Sequence, residues 1–233
     1  MSTLLLRLAG PMQSWGTQSR FRERDTGREP SKSGVVGLLC AALGKPRVES
    51  VETNLPPLAD LAALRMGVRV DRDGVMQVDY QTAGGSHHRN EVGVGVVKAS
   101  GAPGETVVSR RYFLANASFL VGLQGDETLL ARLDTALRQP CWQLSLGRKS
   151  YVPGVPVRPV GETGGVAPLV SLSLEDALQA HRWPDGAAQL RAVVETDPGP
   201  NAEVRQDTPL DFEARRFGQR HVQTVYWSRA KED

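Results

Sequence analysis

Four groups of residues in this chain have the types and spacing to do chemistry. Arg20, Arg22, Arg24, Arg28 and Lys32 crowd one short stretch that also carries the aromatics Trp15 and Phe21. Guanidinium and ammonium groups neutralise phosphates, and aromatic faces accept stacked bases. The plain alternative is a solvated linker, partly neutralised by Glu23, Asp25 and Glu29. Ser31, Lys32 and Ser33 stand where a helix opens, and the N–H groups and dipole of a helix start favour an anion. Gly147-Arg148-Lys149-Ser150 is the second group: glycine lets the backbone approach a phosphate, and Arg and Lys neutralise it. It lacks the preceding glycine and the residue order of a Walker A loop, so nucleotide hydrolysis is rejected.

In the third group, Arg110, Arg111, Tyr112 and Phe113, arginines meet aromatics, a combination that grips single-stranded nucleic acid. The fourth is His87 and His88 with Tyr80 and Lys98, a possible general acid–base set for metal-independent cleavage of RNA. The histidines fall in a glycine-rich loop, Gly84-Gly85-Ser86-His87-His88-Arg89-Asn90, poorly suited to holding atoms to catalytic tolerance. Carboxylates offer little: Asp71 and Asp73 suit a turn, and Glu175-Asp176 a helix start. Arg220 and His221 form an unexplained basic pair, and Arg215 and Arg216 are further candidates for RNA or subunit contact. Cys40 and Cys141 sit in no metal-binding spacing, so neither a metal nor a cofactor is expected.

The elements that must position these groups follow from local pattern. Residues 3–9 form an apolar strand stopped by Gly10-Pro11. A helix spans 33–43, with Ser33 as its N-cap and Gly44 past its end. A short helix runs from Leu58 to Leu64. Two alternating strands, 66–70 and 75–80, flank Asp71-Arg72-Asp73-Gly74 and predict a hairpin. Residues 82–105, with their Val92 to Val97 run, predict a protruding hairpin or loop. Ala117 to Leu123 is a buried strand, and Asp126 caps a helix through Leu137 with Leu129, Leu130, Leu133 and Leu137 on one face. Beyond 153, a helix at 174–181 capped by Ser173 and strands at 189–195 and 221–227 are expected, with Thr196 to Pro209 a loop. The order suits an α+β fold with helices on one face of an antiparallel sheet, the ferredoxin-like arrangement among others. A net charge of +2 means that any grip on nucleic acid must come from local clustering. With no apolar span of membrane length and no signal-peptide pattern, the expected location is cytoplasmic, with no membrane partner.

Arg7-Leu8-Ala9-Gly10-Pro11-Met12-Gln13-Ser14-Trp15-Gly16 and Thr26-Gly27-Arg28-Glu29-Pro30-Ser31-Lys32-Ser33-Gly34 together resemble the N-terminus of the CasD family of type I-E CRISPR surveillance complexes, Cascade. Ala117-Ser118-Phe119 and Leu146-Gly147-Arg148-Lys149-Ser150 match further, and Arg215-Arg216-Phe217 more weakly. The resemblance implies a repeat-associated RNA-binding protein, ferredoxin-like and related to RNA-recognition motifs, that holds the 5′ handle of the CRISPR RNA and caps the CasC filament in antiviral defence. It implies CasC and the large subunit CasA as partners, and target DNA indirectly. A different subunit, CasE, cuts the precursor, although type I-C relatives are themselves ribonucleases.

The expectation is therefore a non-catalytic RNA-binding subunit. A ferredoxin-like part would span 1–153, with a thumb insertion at about 82–113, and strands in 154–233 would complete or extend the sheet. RNA contacts are expected from Trp15, Arg20, Arg22, Arg24, Arg28, Lys32, Ser33, His88, Arg110, Arg111, Gly147, Arg148, Lys149 and Ser150. The rivals are a metal-independent endoribonuclease acting on repeat RNA and a protein-interaction module with solvated basic loops.

Overall fold

A computed structural model describes residues 1–17, 22–49, 54–84, 100, 106–160 and 167–229. Strand β1 (Ser2–Ala9) has Leu4, Leu5, Leu6 and Leu8 all buried, so both of its faces are covered. β2 (Met12–Gln13) and β3 (Glu23–Arg24) are short. Helix α1 (Lys32–Leu43) starts at Ser31, whose Oγ accepts from the Gly34 N–H at 3.3 Å. The cap thus lies two residues before the expected Ser33. Gly44 ends the helix at φ +70°. α2 (Leu58–Ala63), β4 (Arg65–Arg72), β5 (Val75–Ala83), β6 (Val107–Ala115) and β7 (Ser118–Gly125) follow. Then come α3 (Glu127–Arg138), β8 (Leu169–Val170), α4 (Leu174–Ala180), β9 (Gln189–Glu195), β10 (Glu203–Asp211) and β11 (Arg216–Ser228). Asp126 and Ser173 cap α3 and α4 as the pattern predicts.

The fold is mixed α/β with large antiparallel sheets. The main sheet has seven strands in the order β10-β11-β9-β4-β7-β1-β8, so strands from both ends of the chain share it. On one face, Leu4, Leu6 and Leu8 pack with Leu38 and Leu39 of α1 and Leu130 and Leu133 of α3. On the other, Leu5 and Leu120 pack with Leu174, Ala177 and Leu178 of α4. The expectation of helices on one face is corrected: the alternation of β1 and β7 leaves apolar residues on both sides, and α4 covers the second. Among the described residues no helix is long and apolar enough to cross a membrane.

Asp73-Gly74 does not close a hairpin, contrary to its sequence signature. β4 pairs with β7 and β9 in the main sheet, whereas β5 pairs with β6 in the smaller one. The chain crosses between sheets at Gly74 and crosses back between β6 and β7. Gly74 sits at φ +73°, and a Cβ there would lie 2.7 Å from the Ala115 carbonyl, so the two crossings press together. The result is a β5–β6 ribbon leaving the main sheet, with register Val75↔Ala115 through Ala83↔Val107. Of the expected thumb, 82–83 and 107–113 lie in these strands, while 85–99 and 101–105 lie outside the described residues.

The Thr196 to Pro209 loop is a second correction, because β10 occupies 203–211. Pro209 is tolerated there because β10 is an edge strand. β10 also supplies Asp207, which ties the sheet to α1. Its carboxylate accepts from Arg220 Nε and Nη2 at 2.6 and 2.9 Å and from the Lys32 backbone N–H at 2.8 Å. Beside it, Lys32 Nζ lies 2.7 Å from Glu195 Oε1. Burial pushes the Asp207 carboxyl up, but the Arg220 guanidinium and the Lys32 N–H outweigh it and hold it below its ordinary 3.8. The ionised form therefore favours the fold. That contribution is complete above the ordinary value and is lost as pH falls through the lowered one. Asp207→Asn is expected to cost about 3 kcal/mol at neutral pH, or roughly 6–12 °C in melting temperature. Thermal melts should show the gap between variant and wild type closing in acid; a gap as wide at pH 3 as at pH 7 would contradict this.

Candidate nucleic-acid interface

Three of the four sequence groups have described residues that converge at the root of the ribbon. β3 runs parallel beside β6, pairing Glu23 with Arg110 and Arg24 with Arg111, and the Arg110 N–H donates to the Arg22 carbonyl at 2.8 Å. The 147–150 turn closes against the same place. Arg148 Nη2 donates to the Arg24 carbonyl at 3.1 Å, its Nη1 donates to Tyr151 Oη at 2.9 Å, and its guanidinium lies 5.4 Å from the Tyr151 ring centre. Tyr151 in turn packs against Phe113 of β6 with ring centres 6.0 Å apart. Arg22, Arg24, Arg111, Arg148 and Lys149 thus gather at one place, where Arg148 holds the turn to β3, while Arg110, next to Arg111 in the strand, faces the other side of the ribbon with Glu23.

The charge on this surface is poorly compensated. Glu23 lies 3.7 Å from Arg110, with both side chains exposed, a separation worth little in water. Asp79 faces Arg111 in register but accepts a hydrogen bond from Gln81. Arg111 donates to Ser109 Oγ at 3.1 Å. Among the described residues no carboxylate lies within ion-pair reach of Arg22, Arg24, Arg111 or Lys149. The C-terminal strands behave differently: Arg216 pairs with Asp211, Arg220 with Asp207, and Arg205 with Glu29 and Glu203. Glu29, read from sequence as neutralising the basic stretch, is turned inward between Arg191 and Arg205, 3.0 Å from each.

Several expected contacts fall elsewhere. Trp15 is 1% exposed, and its ring packs where a Cβ on Gly34 would lie, 2.8 Å away, so it is a core residue rather than a stacking surface. Lys32 is 4% exposed and committed to Glu195, which removes it from any solvent-facing grip. The anion position at the start of α1 holds Asp207, and Ser33, half-buried there with its Oγ 3.4 Å from that of Ser31, stands beside a filled site. Gly147 has φ +91°, and a Cβ would lie 1.7 Å from the Ser14 carbonyl; its small size serves packing of the turn on the chain after β2. Ser150 ends that turn exposed. Arg28 is exposed but lines a different hollow, with Arg72 and Tyr226. Arg20, Phe21, His87, His88 and Lys98 lie outside the described residues.

The model of the family CRISPR-associated protein (Cas_Cas5) matches residues 3–223, and the chain belongs to that family. The chain is 32% identical over 152 residues to the CRISPR system Cascade subunit CasD of Escherichia coli (strain K12), a match covering 64% of this chain and 66% of that protein. It thus spans just under two thirds of that relative's length. Among solved structures, a chain titled "Crystal structure of Cas protein" is 41% identical with TM-score 0.70, over 97% of this chain and 95% of its own. A chain of a "CRISPR RNA-guided surveillance complex" is 33% identical with TM-score 0.72, over 97% of this chain and 90% of its own.

Trp15→Ala tests the relocation of that residue. It is expected to cost about 3–5 kcal/mol of stability in denaturant melts, as for a fully buried aromatic, and to leave the salt dependence of nucleic-acid binding unchanged.

Proposed function

We propose that this chain is a non-catalytic RNA-binding subunit of a CRISPR surveillance complex, holding the repeat-derived 5′ handle of the CRISPR RNA at the root of the β5–β6 ribbon. The observation that carries this reading is the cation cluster of β3, β6 and the 147–150 turn, in which Arg22, Arg24, Arg111 and Lys149 have no carboxylate within ion-pair reach among the described residues and Arg110 has only the exposed Glu23 at 3.7 Å. A backbone of regularly spaced phosphates is the ligand such a surface suits, and the family and its relatives supply the RNA. The ferredoxin-like reading draws support from the order β4-β7-β1-β8, with α1 between β1 and β4 and α3 between β7 and β8. The type I-E assignment, the partners CasC and CasA, and a place in the cytoplasm extend the same proposal from the resemblance.

The ribonuclease reading stays as the rival. Tyr80, its one described member, stands 65% exposed on an edge strand opposite Arg110, open to water rather than enclosed with a reacting atom. End-labelled CRISPR repeat RNA incubated with the protein in EDTA is expected to stay intact on a denaturing gel, and a discrete cut would make the chain a nuclease.

Arg111→Ala and Lys149→Ala test the grip itself. Each is expected to weaken binding of handle RNA and to flatten the plot of log affinity against log salt by about 0.7, the share of one phosphate on a single strand. Wild-type affinity and slope in both variants would remove these residues from the interface.

A further inference from the structure

Arg28 stands apart from the cation cluster, and its surroundings form a site of their own. It lines a cavity of about 510 Å³ with Arg72, Arg191 and Tyr226. Val70 of β4 pairs across to Arg191 of β9, and Arg191 to Tyr226 of β11, so these three side chains form one row on one face of the sheet. Tyr226 is 62% exposed, a large aromatic left in water at the end of that row. Arg28 and Arg72 are exposed, with no carboxylate partner among the described residues. The nearby carboxylates are already engaged: Asp71 lies 2.7 Å from the buried Arg69, and Asp73 lies 3.0 Å from Arg191. Arg191 also holds Glu29 at 3.0 Å, which fixes the segment bearing Arg28 over the row.

An exposed aromatic flanked by two unmatched guanidinium groups, in a hollow of ligand size, suits a base with its neighbouring phosphates. A simple anion would leave Tyr226 unused, and an acidic peptide would have no need of a flat aromatic face. The segment from Arg22 to Arg28 leads from the cation cluster to this row. We propose that Tyr226 stacks on one further nucleotide of the bound RNA, with Arg28 and Arg72 on the flanking phosphates. This rests on the RNA-binding reading above.

The test is the affinity of the full chain for a CRISPR RNA carrying its repeat-derived 5′ handle, titrated across salt concentrations. Tyr226→Ala is expected to weaken binding at least about fivefold with the slope unchanged, and Tyr226→Phe to bind as wild type, because stacking needs the ring and not the hydroxyl. Arg72→Ala is expected to lower the slope by about 0.7, and it carries the test if Tyr226→Ala does not fold. Wild-type behaviour in both alanine variants, or equal losses in Tyr226→Phe and Tyr226→Ala, would overturn the site. Failure of the wild-type chain to bind would instead overturn the RNA-binding reading on which it rests.

Discussion

The close contact between the two chain crossings, Gly74 against Ala115 and Ala117, is the constraint on which the rest of the structure depends. A Cβ at Gly74 would lie 2.7 Å from one carbonyl and 2.8 Å from the Ala117 Cβ, so only glycine lets the strands pass from one sheet to the other side by side. Asn116 takes the return crossing at φ +55°, and its N–H donates to the Pro11 carbonyl at 3.0 Å. That bond ties the crossing to the turn after β1, which explains why a Gly-Pro stop and an Asp-Gly turn far apart in sequence act at one place. Once the ribbon leaves the sheet there, β6 has a free edge for β2 and β3, and its arginines arrive beside Arg22 and Arg24.

A second layer of constraint holds the N-terminal segment to the C-terminal strands. Glu29 reaches Arg191 and Arg205, while Lys32 and Asp207 join α1 to β9, β10 and β11. Buried pairs of this kind contribute little net stability against an apolar alternative, but they are costly to break and fix one arrangement. Here that arrangement points the unmatched arginines outward. The internal carboxylates are consumed by internal cations, and the surplus positive charge of a nearly neutral chain is left at the ribbon root and at Arg28 and Arg72. Local surplus rather than net charge is what the proposed nucleic-acid surface rests on.

Much of this was legible where the signal is local. Asp126, Ser173 and Gly44 mark helix ends through hydrogen bonds within a few residues, and the apolar run of β1 declares its burial on both faces. The Asp-Gly turn was visible too, but a turn signature does not say whether the next strand joins the same sheet. β10 was hidden because Glu203, Gln206, Asp207 and Pro209 give it a loop-like composition. Trp15 and Lys32 read as surface groups in the sequence because what buries them comes from elsewhere: Glu195 and Asp207 lie more than 160 residues beyond Lys32. The cation cluster was readable in its members, whereas the separation of Arg28 from them, and its company with Tyr226, emerge only from the pairing of β4, β9 and β11.

The central claim is that handle RNA lies across β3, β6 and the glycine turn. Photocrosslinking answers it directly: a CRISPR RNA with 4-thiouridine in its handle, irradiated on the full chain and mapped by mass spectrometry. The account predicts crosslinks within residues 22–28, 107–113 and 147–151. Crosslinks confined to the faces of α3 and α4, with none at the ribbon root, would contradict it.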